Sequence, residues 1–270
     1  MSDTILTHDE GAVRVVTLNR PDRANAWTLP LEEEYFGALL GAAHDPAVRA
    51  IVVTGAGRAF CAGMDAEALK AASSGGFANA GRIRQTLPLS LPKPVVVAIN
   101  GACAGIGLVV SLMGDVRFVA AGAKITTAFA RRGLPAENAV AWQLARLVGA
   151  GTAADLLLSG RVVRAEEAAE LGLVNRVVAP EELLSTALAY AADMAQNCSP
   201  AAMADIKRQL YGGLETDIES ARREDKRLAV VARSRPDLAE GVASMLEKRP
   251  PRFAGLAATD LVADDFRDTQ

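Results

Sequence analysis

The chain has 270 residues, of which 50% are hydrophobic and 23% are charged. This composition is typical of a soluble globular protein and excludes disorder over most of the chain. Its 29 Lys and Arg residues against 32 Asp and Glu residues give a net charge of -3, which provides no general attraction for nucleic acid or anionic lipid. We therefore expect no nucleic-acid partner.

Strands and helices alternate through the first half of the chain. Short apolar or β-branched runs predict strands that are buried on both faces, and amphipathic segments between them predict helices. This alternation indicates an α/β core. In chain order the predicted elements are a strand at 13–18, a helix at 31–43, strands at 50–54 and 94–99, a helix at 105–113 and a strand at 115–120.

The second half is mainly helical. The pattern predicts helices at 137–148 (stopped by Gly149), 153–158, 165–171, 180–194 and 214–233, with one strand at 174–178. We therefore divide the chain into an α/β core at 1–198 and a helical C-terminal region at 199–270. The small-residue segment 71–80 is expected to be a surface loop.

Cysteines and histidines exclude several chemistries. The spacing of Cys61, Cys103 and Cys198 fits neither a disulfide framework nor a zinc site, which favours a reducing cytoplasm and predicts no metal. The two histidines, His8 and His44, have no recognisable catalytic partners nearby in the sequence, so a His-activated nucleophile is not expected. Carboxylates, backbone amides, Arg and Lys remain for proton and charge chemistry.

Membrane targeting is not expected either. Residues 1–10 lack a basic segment followed by an apolar stretch, so we predict no signal peptide. The longest apolar runs, at 95–99 and 102–113, are too short and too interrupted by glycine to span a bilayer. The sequence thus predicts a cytoplasmic protein.

Two turns share one design, in which a buried strand leads into small residues that open a helix. They lie at 60–65 and 101–107. Unpaired N–H groups at such turns, with glycines that let a ligand approach the main chain, could form a two-donor oxyanion hole. The alternative is that small residues only permit tight packing, and the pattern alone does not decide. Neither turn has dinucleotide-binding or P-loop spacing.

Glu137 is the candidate general base. It precedes Val140, Leu144 and Val148 at i, i+3, i+7 and i+11, which places the carboxylate on the apolar stripe of a predicted helix. We therefore expect it to be at least half buried and poorly solvated, as suits a base. The alternative is an acid that only stabilises the helix N-terminus.

Taken together, these segments resemble the crotonase superfamily, the enoyl-CoA hydratase/isomerase group. The resemblance lies in residues 18–26, 53–65, 93–107 and 158–174, in the family's order, and extends to the tail at 234–253. It implies a crotonase-like spiral of ββα units with a helical C-terminal region, commonly assembled as a homotrimer or a dimer of trimers. The implied substrate is an acyl-CoA thioester, so coenzyme A enters as part of the substrate and no separate cofactor is expected.

The resemblance also assigns site residues. The family holds the thioester oxygen with two backbone amides, which match the N–H groups of Met64 and Ile106. Ile106 stands where family members often have glycine, and its side chain should narrow the pocket. The positions implied to bind the CoA portion are Arg23, Ala24, Ala26, Ala62, Asp65 and Gly105.

The carboxylates point to the reaction. Hydratases of the family typically use two glutamates, whose positions match the apolar Val109 and Phe129. Glu137 instead matches the single glutamate of peroxisomal-type Δ3,Δ2-enoyl-CoA isomerases, and the nucleophilic aspartate of an aryl-CoA dehalogenase that also needs a histidine. The resemblance therefore favours enoyl-CoA double-bond isomerisation.

Two alternatives stay open. The first is hydration of 2-enoyl-CoA with Glu137 as the sole carboxylate. The second is a non-catalytic acyl-CoA-binding or scaffold protein, which exposure of Glu137 to solvent would favour.

Overall fold

The computed structural model describes residues 3–73 and 82–256. Within them, three successive turns of a spiral each contribute one strand to a six-stranded sheet and the next strand to a four-stranded sheet. The order in the larger sheet is β1-β2-β3-β5-β7-β10, where only β1 and β2 pair antiparallel. Its strands are β1 (Ile5–Glu10), β2 (Val13–Leu18), β3 (Ala50–Gly55), β5 (Val95–Ile99), β7 (Val116–Ala120) and β10 (Arg176–Val178).

The smaller sheet positions the turns that the sequence singled out. Its order is β4-β6-β8-β9, with β4, β6 and β8 parallel and β9 antiparallel to β8. Each of its first three strands directly follows a strand of the larger sheet, so three ββ units open side by side. The strands are β4 (Ala59–Cys61), β6 (Ala102–Ala104), β8 (Lys124–Thr126) and β9 (Val163–Arg164).

Helices cover both faces of the larger sheet, which explains why its central strands are continuous apolar runs. One face packs on α1 and α4, and the other packs on α7. The helices are α1 (Leu29–His44), α2 (Ala66–Ser73), α3 (Leu87–Ser90), α4 (Ile106–Leu112), α5 (Val140–Ser159), α6 (Ala165–Glu170), α7 (Leu183–Asn197), α8 (Pro200–Gly213), α9 (Ile218–Ser234) and α10 (Pro236–Glu247).

A buried polar cluster attaches the C-terminal helices to the sheet. Lys207 of α8 donates to Asp115 Oδ2 at 2.7 Å, and the Tyr211 hydroxyl donates to Asp115 Oδ1 at 2.8 Å. The main-chain N–H of Val95 donates to Asp115 Oδ2 at 2.6 Å. Burial lowers the pKa of Lys207 despite the neighbouring carboxylate. Removing one partner would leave a buried group unpaired, so this cluster fixes α8 on the core.

The α/β fold with a spiral of ββα units is confirmed, whereas several element boundaries are wrong. The prediction missed β1, α2, α3, α8, α10 and the short strands of the smaller sheet. Segment 71–80 continues α2 as far as Ser73, and the rest of it lies outside the described residues. The division at residue 198 stays a prediction. No helix in the described ranges is long and apolar enough to cross a membrane.

Candidate functional site

A cavity of about 610 Å³ lies where the strands of the smaller sheet end. Its wall includes Ala62–Met64 after β4, Ala104–Ile106 at the end of β6, and Thr126–Phe129 at the end of β8. The loop that leads to α5 contributes Arg132, Leu134, Glu137 and Asn138. The two turns and the acid that the sequence singled out therefore border one space.

The first turn is fixed by the main chain of Trp27. The N–H of Trp27 donates to the Gly63 carbonyl at 2.8 Å, and the Trp27 carbonyl accepts from the Asp65 N–H at 2.9 Å. The peptide of Met64 lies between these two bonds and pairs with Trp27 as an isolated β-bridge. Within the described part of the chain, the N–H of Met64 donates no hydrogen bond.

The second turn delivers Ile106 to the same cavity. Gly105 has φ +51°, a conformation that side-chain-bearing residues rarely adopt, and its N–H donates to the Thr126 carbonyl at 3.2 Å. Ile106 then begins α4, and its N–H has no hydrogen-bond acceptor among residues 3–73 and 82–256. Its side chain is buried and lines the cavity.

Gly107 explains how closely the two turns approach each other. A Cβ at this position would lie 2.3 Å from the Cys61 carbonyl oxygen and 2.8 Å from the Cys61 Cβ. Cys61 and Cys103 are register partners of the parallel strands β4 and β6, just before the turns. Only glycine therefore allows the start of α4 to pack against the end of β4.

Glu137 lines the cavity, but its local structure differs from the prediction. It precedes α5, which begins at Val140, and its side chain is exposed rather than half buried. The reason is that Asn138 and Ala139 both have positive φ, 57° and 58°, so the chain turns away from helical geometry directly after Glu137. The predicted stripe of Glu137 with Val140, Leu144 and Val148 is therefore wrong. The break at Gly149 is confirmed as a non-helical residue inside α5.

The two positions that the resemblance matches to the hydratase glutamates are apolar and buried. Val109 is fully buried inside α4, and Phe129 lines the cavity with 6% of its surface exposed. Neither can hold or activate water. Among the described residues that border the cavity, Glu137 is the only carboxylate.

The predicted CoA-binding residues separate into two groups. Ala62 and Gly105 line the cavity, whereas Arg23, Ala24, Ala26 and Asp65 lie outside its wall. The N–H of Glu67 and the guanidinium of Arg20 donate to Asp65 at 3.1 Å each and keep the pKa of its carboxyl below the usual value. Arg20 also donates to the Ala26 carbonyl, so it ties the segment at 23–26 to the first turn. Contact of these residues with CoA stays a prediction.

The cysteines near the site are not nucleophiles. Cys61 and Cys103 are fully buried, and desolvation raises the pKa of the Cys61 thiol to about 12. The same cause raises the pKa of Cys103 well above its ordinary value. Since the thiolate is the reactive form, both residues are packing groups at neutral pH. The described ranges contain no group of three or more His, Cys, Asp or Glu side chains placed to hold a metal ion.

Sequence reasoning missed a polar wall of the cavity. Arg82 and Gln85 line it from the segment before α3, and Arg132 lines it from the turn after β8. Behind this wall lies Glu32 of α1, a buried carboxylate. Its place in the run Glu32-Glu33-Glu34 is typical of a solvated helix face. Its burial could have been inferred from helical spacing. Glu32 directly follows the apolar Leu31 and lies three residues before Tyr35, so it shares their face of α1.

The chain is similar to known proteins over nearly its whole length. Residues 8–256 match the family model described as enoyl-CoA hydratase/isomerase. The 1,2-epoxyphenylacetyl-CoA isomerase of Escherichia coli K12 is 35% identical, over 94% of this chain and 100% of that protein. A probable enoyl-CoA hydratase of Rhodobacter capsulatus is 36% identical, over 89% of this chain and 94% of that protein.

Solved structures give the same result. A probable enoyl-CoA hydratase/isomerase from Mycobacterium abscessus has a TM-score of 0.86 at 33% identity, covering 93% of this chain and 99% of that one. An enoyl-CoA hydratase from Mycobacterium marinum is 48% identical with a TM-score of 0.69, covering 80% of this chain and 100% of that one. These relatives carry both hydratase and isomerase names, so their names do not distinguish the two reactions.

Proposed function

Because this chain belongs to the enoyl-CoA hydratase/isomerase family, we propose that it moves the double bond of an enoyl-CoA, with Glu137 as the acid and base. The observation that carries the proposal is the composition of the cavity wall. The N–H groups of Met64 and Ile106, which have no hydrogen-bond partners among the described residues, and the carboxylate of Glu137 border the cavity. Val109 and Phe129, which the resemblance matches to the two glutamates of family hydratases, are apolar.

In the proposed reaction, the thioester oxygen of a 3-enoyl-CoA accepts hydrogen bonds from the N–H groups of Met64 and Ile106. Glu137 takes the proton from C2, and negative charge moves to the thioester oxygen as an enolate. The protonated Glu137 then returns a proton to C4, which yields the 2-enoyl-CoA. No water is added, so one carboxylate is sufficient.

The magnitudes are adequate for this chemistry. One oxyanion-hole donor contributes roughly 3 kcal/mol to lowering the barrier, and a positioned general base contributes roughly 3–5 kcal/mol. Two donors and Glu137 would together supply on the order of 10 kcal/mol, and the positioning of the substrate adds to this.

The exposure of Glu137 bears on the non-catalytic alternative. The side chain is exposed in the described structure, which is the result that the non-catalytic alternative predicts. It nevertheless borders the same cavity as Met64 and Ile106. We retain the catalytic role because an acyl chain that fills this cavity would displace water from Glu137.

Hydration is the second candidate, supported by relatives with hydratase names. The test incubates 3-enoyl-CoA and 2-enoyl-CoA separately with the enzyme and with Glu137→Gln. We expect the enzyme to convert 3-enoyl-CoA to 2-enoyl-CoA, and the variant to lose about 10²- to 10⁴-fold in kcat. Conversion of only 2-enoyl-CoA to a 3-hydroxy product would favour hydration, and unchanged turnover by the variant would remove Glu137 from the mechanism.

We also propose that the protein is a homotrimer or a dimer of trimers that acts on an acyl-CoA thioester. Exposed apolar side chains at helical spacing on α8 support self-association, since such stripes are typical of protein interfaces. They are Ile206 with 58% and Leu210 with 55% of their surface exposed.

A further inference from the structure

Glu32 is a charged side chain inside the core, with 4% of its side-chain surface exposed. Arg82 donates to it twice, from Nε to Oε1 at 2.8 Å and from Nη2 to Oε2 at 2.6 Å. Trp27 Nε1 donates to Oε2 at 2.9 Å, and Gln85 Nε2 donates to Oε2 at 2.8 Å. One carboxylate thus joins three side chains from two segments, Trp27 before α1 and Arg82 and Gln85 before α3.

We expect such a cluster to contribute little to the free energy of unfolding. Moving a carboxylate and a guanidinium out of water costs several kcal/mol each, and well-packed apolar side chains often stabilise a core equally well. The hydrogen bonds nevertheless restrict the arrangement of the cluster, because a shift that separates Trp27 or Gln85 from Glu32 would leave a buried donor unpaired. Its position relative to the cavity therefore matters more than its energy.

On one side the cluster is connected to the Met64 peptide through Trp27. The indole of Trp27 is fully buried, held by Glu32 and by an edge-to-face contact with Tyr35 at 5.4 Å between ring centroids. The main chain of the same Trp27 bonds to Gly63 and Asp65 on either side of Met64. A shift of the indole would therefore also move the main chain around Met64. The Met64 N–H is one of the two donors to the thioester oxygen in the proposed reaction.

On the other side the cluster forms part of the cavity wall. Arg82 and Gln85 both line the cavity, and both donate to Glu32 behind it. Glu32 thus holds the cavity wall directly, through Arg82 and Gln85, and the first turn indirectly, through Trp27. The wall and the turn lie in different parts of the sequence.

We propose that Glu32 is a positioning residue, which aligns the Met64 N–H with the polar wall formed by Arg82 and Gln85. The inference rests on the proposed function, because it takes the Met64 N–H as a donor to the developing enolate. Glu32 itself does not border the cavity, so we do not expect it to contact a substrate bound there.

The test uses the full chain in a Trp142→Phe background, where Trp27 is the remaining tryptophan and reports on its own surroundings. Glu32→Gln removes the charge and one acceptor, and Glu32→Asp keeps the charge but shortens the side chain. Asp115→Asn is the matched control, because Asp115 is a largely buried carboxylate, with 13% of its side-chain surface exposed, that accepts from three donors and lies outside the cavity wall. All variants are compared well below their unfolding temperatures.

Three quantities are measured: kcat and KM with 3-enoyl-CoA, the emission of Trp27, and the near-ultraviolet band of enolised acetoacetyl-CoA bound to the enzyme. For both Glu32 variants we expect kcat to fall about 10- to 100-fold with KM changed by less than about threefold, since only the developing charge loses its aligned donor. The Trp27 emission should change and the enolate band should weaken. Asp115→Asn should lower the unfolding temperature and leave kcat, KM and the enolate band as in the background protein.

Different results would contradict different proposals. Glu32 variants that keep kcat/KM and the enolate band while their Trp27 emission changes would overturn the positioning role alone. Equal losses in Asp115→Asn would reduce the effect to general destabilisation and overturn it as well. A background protein that neither isomerises 3-enoyl-CoA nor enolises acetoacetyl-CoA would contradict the proposed function itself, and the positioning role with it.

Discussion

At the scale of single residues, the proposed reaction depends on main-chain geometry more than on side-chain identity. The donors assigned to the thioester oxygen are peptide N–H groups, so substituting the side chains of Met64 or Ile106 leaves both donors in place. What the chain has to supply is the close approach of two turns. Gly107 supplies it, because its missing Cβ leaves room for the Cys61 carbonyl.

Gly107→Ala tests this approach. A Cβ 2.3 Å from a backbone oxygen has no flexible neighbour to displace, so the start of α4 must move away from β4. We expect the free energy of unfolding to fall by about 1–3 kcal/mol, as in other overpacked cores. We also expect kcat with 3-enoyl-CoA to fall by about 10²-fold, because the two N–H groups separate.

Denaturant unfolding and steady-state kinetics measure both effects. Gly151→Ala is the control, since a Cβ there meets nothing within 4 Å. A Gly107→Ala enzyme with wild-type kcat would contradict the claim that the spacing of the two turns matters for the reaction.

At the scale of elements, the start of α5 shows where sequence patterns fail. The helical period at Glu137, Val140 and Leu144 predicted a helix three residues too early. Hydrophobic spacing describes which face a helix buries but contains no information about two consecutive left-handed residues. Asn138 and Ala139 adopt that conformation and leave Glu137 in the loop, where it borders the cavity without being buried.

The left-handed conformation of Ala139 predicts a stabilising substitution. An L-residue with a Cβ at φ 58° is strained by roughly 1–2 kcal/mol, and glycine removes this strain at some cost in unfolded-state entropy. We expect Ala139→Gly to raise the free energy of unfolding by about 0.5–1 kcal/mol. The control Ala141→Gly, exposed in the first turn of α5, should lower it by about 1 kcal/mol. Equal losses in both variants would contradict the strain at Ala139.

At the scale of the whole molecule, the ββα spiral and the composition of the site were predictable to different degrees. The buried strands at 50–54 and 94–99 were visible as apolar runs, and their turns were visible as small-residue segments. The short strands β4, β6 and β8 were not, because three residues carry too little period to separate a strand from a loop. Glu32, Arg82 and Gln85 meet only in the folded chain, so no local pattern could predict their cluster.

The proposed assembly makes a prediction at the same scale. Ile206 and Leu210 lie four residues apart on α8 and are more than half exposed in the described chain. We expect light scattering to give the mass of three or six chains for the protein and a smaller mass for Leu210→Glu, which places a charge in the proposed interface. Leu158→Glu is a control on another exposed apolar residue, in α5. A monomeric wild-type protein would contradict the proposed assembly.

The central claim concerns one arrangement of three groups around a bound substrate, and a crystal structure of Glu137→Gln with 3-enoyl-CoA tests it most directly. We predict that the thioester oxygen lies about 2.7–3.2 Å from the main-chain nitrogens of both Met64 and Ile106. The side chain at position 137 should then approach C2 and C4 to within about 3.5 Å. A substrate held elsewhere, or a side chain at 137 directed away from both carbons, would contradict the mechanism.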